Sequence, residues 1–295
     1  MTTIVVGVDG SEGAKAALVW ACAEARRDSD VKIVAVSTWL SPFTASSPWV
    51  VGYDVPIDLS EATAAELKAS VAAVADERFG DIEIAQRVVC GSAAGVLISE
   101  GSAADILVVG SRGLGGFKGL LLGSVSHQVV THAPCPTVIV PRAAGAWAAT
   151  RVGPASIVVG IDGSSNSSAA LQWAARRAHG ADAIVRAVYV WRFPAVAVAP
   201  PPIGAWADPA SASADAAMDA LAAFIAAAEL PRDVRVVPTI REGSGAKVLL
   251  DEGQHADLLV VGARGHEGFV GLLLGSVATA VMHHARCPVA VIPEK

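Results

Sequence analysis

The sequence predicts an α/β chain built as two tandem, doubly wound, five-stranded parallel-sheet domains, each a three-layer α/β/α sandwich. Three observations carry that prediction. The chain is written twice: IVVGVDGSEGAKAALVWACAEAR at 4–26 returns as IVVGIDGSSNSSAALQWAARRAH at 157–179. Between Asp105–Pro141 and Asp257–Pro293, 22 of 37 positions are identical without a gap. Within each half, β-branched apolar runs alternate with Ala-rich stretches of helical period, and runs such as DILVVG are continuously apolar, as strands buried on both faces are.

A duplication of this length implies two complete domains rather than a short-repeat solenoid. The boundaries read as a first domain over 1–142, a linker over 143–155 and a second domain over 156–295. The linker is the small, polar, Gly/Pro-marked stretch after CPTVIVP. In the first half, strands are expected at about 3–8, 31–38, 83–89, 105–110 and 137–140, with helices near 12–27, 58–78, 93–102 and 124–132. Strands of the second half fall at about 156–161, 183–190, 234–240, 257–262 and 289–292. Right-handed βαβ crossovers then place a ligand crevice at the carboxyl ends of the strands. Two Pro-rich loops, 40–57 and 193–210, follow the second strand of each half. They carry Trp49 and Trp206, which either cover a ligand or pack between the halves.

Composition excludes several classes. The 295 residues are 53% hydrophobic and 17% charged, so disorder is disfavoured and a sizeable core is available. A formal net charge of −6 argues against non-specific binding to nucleic acid or anionic membrane. No run is long and apolar enough for membrane insertion. MTTIVVGVDGS lacks a basic n-region, so a cytoplasmic location is expected. Cys22, Cys90, Cys135 and Cys287 form no CxxC pair and read as free, mostly buried thiols.

The chemistry-bearing motif follows the fourth strand of each half. Its spacing is G-x2-G-x9-G-S: Gly110, Gly113, Gly123 and Ser124, then Gly262, Gly265, Gly275 and Ser276. Glycines let backbone amides face a ligand without a Cβ in the way. A helix start offers free N–H groups and partial positive charge to an anion. The loops are therefore read as a polyphosphate cradle, with Ser124 and Ser276 as N-caps and Arg112 and Arg264 as charge partners. The alternative is that the glycines are turn residues and the serines simply caps. A P-loop is absent, and GVDGSEG is not a G-x-G-x-x-G dinucleotide turn.

With these residues in place, the chain resembles a tandem universal stress protein of the ATP-binding subgroup, over nearly its whole length. Both glycine motifs, the openings VGVDGS and VGIDGS, and the endings THAPCPTVIVP and HHARCPVAVIP carry the resemblance. It implies the adenine nucleotide α-hydrolase-like, flavodoxin-like sandwich, with ATP lying across the carboxyl edge of each sheet and any Mg2+ held mainly by the phosphates. Asp9 and Asp162 match positions near the adenine and ribose, and Val36 and Val188 the apolar position beside the base. Gly110, Gly113, Gly123 and Ser124 match the ribose and phosphate contacts, with Val125 and Ser126 following. Gly262, Gly265, Gly275, Ser276 and Val277 repeat them, while Ala278 replaces the hydroxyl at the Ser126 position and predicts a weaker second site. Lys118 against Val270 is a further asymmetry. The resemblance also implies association through the final strands, within one chain or in a homodimer.

Alternatives stay open for several of these. Asp9 and Asp162 could cap the first helices, and Val36 and Val188 could be plain core. His132 and His284 read as helix-end residues, and Trp20 and Trp173 as core. Three function classes compete: an ATP-binding regulator of stress response or growth that signals to a protein partner, a weak ATPase or phosphoryl-transfer enzyme, and a scaffold without ligand. The loops offer cradle residues but no carboxylate repeated in both halves, since Glu267 faces Gly115. Dedicated catalysis therefore has no visible machinery, although slow hydrolysis by positioning is compatible with the motif. Binding is the favoured reading.

Overall fold

The computed structural model describes residues 1–40, 59–75, 79–114, 122–142, 154–191, 209–265 and 273–294. The chain divides into two compact units, Met1–Thr150 and Arg151–Lys295. The loop tryptophans Trp49 and Trp206, most of the 143–155 linker, and Gly115, Lys118, Glu267 and Val270 lie outside the described residues.

The first unit runs β1 (Thr2–Gly7), α1 (Glu12–Arg27), β2 (Val31–Trp39), α2 (Ser60–Val74), β3 (Ile84–Cys90), α3 (Ala93–Glu100), β4 (Ile106–Gly110), α4 (Ser124–His132) and β5 (Thr137–Val140). Its strands are ordered β3-β2-β1-β4-β5 and every pairing is parallel. β1 and β4 lie in the middle, and Ile4, Val6, Leu107 and Val108 are fully buried there. That position explains their unbroken β-branched and leucine content. α1 packs on β1, β2 and β4 and touches α2, whereas α3 packs on β1 and β2 and touches α4. The two helix pairs thus cover opposite faces, and the connections diverge between β1 and β4. This is the switch point at which doubly wound sheets open a crevice beyond the strand ends.

The second unit repeats the plan: β6 (Ala155–Ile161), α5 (Ser165–Ala178), β7 (Ala183–Trp191), α6 (Pro209–Ala227), β8 (Arg235–Glu242), α7 (Gly245–Gly253), β9 (Leu258–Gly262), α8 (Ser276–His284) and β10 (Val289–Ile292). The parallel order is β8-β7-β6-β9-β10.

Local chemistry sets the helix starts. Ser11 caps α1, its Oγ accepting the Ala14 amide at 3.2 Å, with Glu12 in the first turn and Arg26 and Arg27 in the last. Ser164 does the same for α5 through the Ser167 amide at 3.1 Å. Gly10 and Gly163, between strand and cap, take φ of 79° and 82°, a region where a side chain is strained. Trp173 is buried, with the Arg177 guanidinium 5.0 Å from its ring centroid, while its counterpart Trp20 is only half-buried. His132 and His284 close α4 and α8, as expected of helix-end residues. Among the described residues no helix is long and apolar enough to cross a membrane.

Candidate functional site

In the first unit the chain leaves β1 after Gly7 and β4 after Gly110, so the first β–α turn, which carries Asp9, and the glycine loop face each other across the switch point. Asp9 joins them. Its Oδ1 accepts the Ser11 amide at 3.0 Å and its Oδ2 accepts the Leu114 amide at 3.0 Å. The helix-cap role belongs to Ser11, and Asp9 holds the glycine loop instead. Ser11 Oγ also reaches the Arg112 carbonyl at 3.4 Å.

The three motif glycines have different reasons to be there. A Cβ on Gly110 would overlap the backbone of Gly13 in the first turn of α1, and one on Gly13 would run into the Arg112 carbonyl. A Cβ on Gly113 would collide with the Asp9 carboxylate. Close approach dictates both Gly110 and Gly113. Gly123 differs, because its φ is −76° and, among the described residues, a Cβ would meet nothing nearer than 3.6 Å. Neither its backbone conformation nor its packing against the described residues requires a glycine there.

Gly123 is also the N-cap of α4. Its carbonyl accepts the His127 amide at 3.0 Å, so the cap lies one residue before the serine expected to fill that role. Ser124 is the first helical residue and is exposed. Among the described residues no side chain caps the amides of Ser124, Val125 and Ser126, which open the helix. The cap expectation for Ser124 and Ser276 is thus corrected, since Gly275 caps α8 in the same way and its carbonyl takes the Thr279 amide at 2.9 Å. Ser126 is only 4% exposed, and its Oγ donates to the Gly110 carbonyl at 2.6 Å. That hydroxyl ties α4 to the end of β4.

Val36 sits near the carboxyl end of β2, its carbonyl accepting the Val8 amide at 2.8 Å next to Asp9. Val36 and Val188 are 1% and 0% exposed and lie within the cores of their units. Arg112 is exposed on the loop.

The second unit brings the corresponding residues together. Asp162 Oδ1 accepts the Ser164 amide at 3.0 Å and the Ser164 hydroxyl at 2.6 Å. A Cβ on Gly265 would collide with the Asp162 carboxylate, and one on Gly262 would press to 2.8 Å from Asn166 Cβ. Gly275 again has room, its Cβ meeting nothing among the described residues closer than 3.5 Å at φ −75°. Val277 follows Ser276 in the first turn of α8. Asn166 replaces Gly13, and its Nδ2 donates to the Arg264 carbonyl at 3.3 Å. Ala278 fills the Ser126 position and is buried, so this unit lacks the tie from α8 to the end of β9. Arg264 is ion-paired to Glu294.

Sequence reasoning missed Gly13, Asn166, Arg142 and Glu294. Their signal was positional: each occupies a matching place in the two halves, but none lies within the glycine motif.

Two parallel α/β units, each with a glycine loop and a helix start beside the first β–α turn at its switch point, define a tandem doubly wound α/β protein. Comparison with known proteins specifies the family. The universal stress protein family profile matches residues 1–141 and 155–293. A universal stress protein of Mycolicibacterium smegmatis is 30% identical over 295 residues, covering 98% of this chain and 96% of its own. One from Mycobacterium tuberculosis is 31% identical over 300 residues, covering 99% and 96%. The crystal structure of a universal stress protein from Archaeoglobus fulgidus aligns with a TM-score of 0.63 and 18% identity, covering 99% and 98%. The chain belongs to the universal stress protein family.

Proposed function

We propose that each unit binds ATP, and that the chain is a nucleotide-dependent regulator of stress response or growth rather than a dedicated enzyme. The observation that carries this reading is Gly123 with its counterpart Gly275. Among the described residues, each stands where its unit accepts a Cβ at ordinary distance, and each opens a helix whose first amides no side chain caps. A glycine that neither φ nor packing requires is explained by a ligand approaching the backbone closely. Unpaired amides at a helix start select an anion. The Ser124 and Ser276 hydroxyls and the Arg112 guanidinium supply further donors to a phosphate chain. The choice of adenine as base rests on the family resemblance at Asp9, Asp162, Val36 and Val188.

The test is equilibrium binding of ATP to the full chain and to a Gly123→Glu, Gly275→Glu double variant. A carboxylate there fills the site and repels phosphate, while the core strands are untouched. Saturable binding by the parent chain, lost in a variant of unchanged circular dichroism, is expected. Equal binding by both proteins would defeat the reading.

A further inference from the structure

The two crevices differ in charge at one equivalent pair of positions. In the second unit, Arg264 Nη2 on the β9–α8 loop is ion-paired to Oε2 of Glu294, two residues beyond the end of β10. The first unit places Arg112 and Arg142 at these positions. The strand register fixes the correspondence, since Gly110 pairs with Val140 as Gly262 pairs with Ile292. The hydrogen bonds just beyond the strands match too: the Ser111 amide donates to the Val140 carbonyl at 2.9 Å, and Ala263 to Ile292 at 2.8 Å. A side chain two residues past the last strand therefore stands within reach of the loop arginine. Arg112 and Arg142 are both exposed, and neither has a carboxylate partner among the described residues.

We propose that Arg142 is a further phosphate-directed residue of the first site, and that Glu294 acts in the second as an internal competitor that holds Arg264 away from a polyphosphate. The inference rests on the ATP reading given above. The first crevice presents two positive charges from this pair, while in the second the charges cancel. Two neighbouring guanidiniums repel each other, and a polyanion between them relieves that repulsion. In the second unit Arg264 must leave Glu294 before it can pair with phosphate, and the freed carboxylate then repels the ligand. The chain therefore has one strong and one weak nucleotide site, set by a single residue difference after the last strand.

Single-site chains separate the two affinities: Gly275→Glu leaves only the first site and Gly123→Glu only the second. With ATP in low-salt buffer, the first site should bind about 3- to 10-fold tighter than the second, as expected for partly solvated charge pairs. Arg142→Glu should weaken the first by a similar factor, with Arg142→Lys recovering most of it. Glu294→Arg should tighten the second toward the first, and 0.5 M salt should shrink every one of these differences. Should a single-site chain fail to fold, the same comparison is read from the intact chain, whose two-phase isotherm should merge into one phase in Glu294→Arg. Equal affinities, or a second site indifferent to Glu294→Arg, would overturn this inference while leaving ATP binding intact. Absence of ATP binding in the parent chain would overturn the ATP reading itself.

Discussion

The Asp9 carboxylate accepts the Leu114 amide at 3.0 Å, joining the first turn of the unit to its glycine loop across 105 positions of sequence. The same carboxylate accepts the Ser11 amide, so one side chain ties the glycine loop to the first β–α turn. Replacing it removes two hydrogen bonds to a charged acceptor at an exposed site. Asp9→Ala should lower stability by about 1–2 kcal/mol. It should weaken ATP binding at the first site by more than that loss alone predicts, because the loop is no longer held. Thermal unfolding and ATP titration of the same variant check both statements.

The glycines of one motif should separate into two behaviours. Gly110→Ala forces a Cβ into the backbone of Gly13 and should cost about 1–3 kcal/mol or more, as overpacking does. Gly123→Ala meets no such obstacle among the described residues and should change stability by less than about 1 kcal/mol, the scale of an altered N-cap. Its effect should appear instead as weakened ATP binding. Chemical denaturation of the two variants, followed by nucleotide titration of Gly123→Ala, distinguishes a packing glycine from a ligand-facing one.

Ser126 should behave as a tie. Its hydroxyl is committed to the Gly110 carbonyl at 2.6 Å, so Ser126→Ala should cost about 1 kcal/mol and leave ATP affinity within roughly two-fold. A large loss of affinity without a change in stability would assign the hydroxyl to the ligand instead.

Thiol chemistry offers a check of the fold. Burial pushes the Cys22 and Cys135 thiols up to about 11 and Cys287 to about 12, whereas Cys90 is exposed. At pH 8 a thiol-specific reagent should therefore label one cysteine per native chain, Cys90, and all four after unfolding. The buried thiols stay protonated in the native state above the pH at which the unfolded chain releases those protons. Their contribution to stability is thus fully present below pH ~9 and declines as pH rises toward 11 and 12. Denaturation midpoints measured from pH 8 upward should fall accordingly.

Much of the fold was legible because duplication and strand periodicity state it twice. The α1 and α4 limits, 12–27 and 124–132, agree with the observed helices. α2 is observed over Ser60–Val74, and residues 76–78, where the expected helix closes, lie outside the described residues. The glycine loop was legible as a motif, but its internal division of labour was not. Only in the folded unit is it visible that Gly110 is needed by Gly13, that Gly113 is needed by Asp9, and that neither neighbour needs Gly123. The capping expectation for Ser124 failed because Gly123 already accepts the first helical hydrogen bond. Ala278 is read differently once Ser126 is seen bonded to Gly110: its substitution removes a tie within the fold. The Arg264–Glu294 pair was invisible because its carboxylate comes from beyond the last strand, outside any motif.

The most direct test of ATP as the ligand is mass spectrometry of the small molecules released when well-folded protein is heat-denatured, with and without prior incubation with ATP. The account predicts an adenine nucleotide, approaching two per chain after incubation and reduced to about one in Gly123→Glu or Gly275→Glu alone. Recovery of no nucleotide from folded protein under either condition would contradict it.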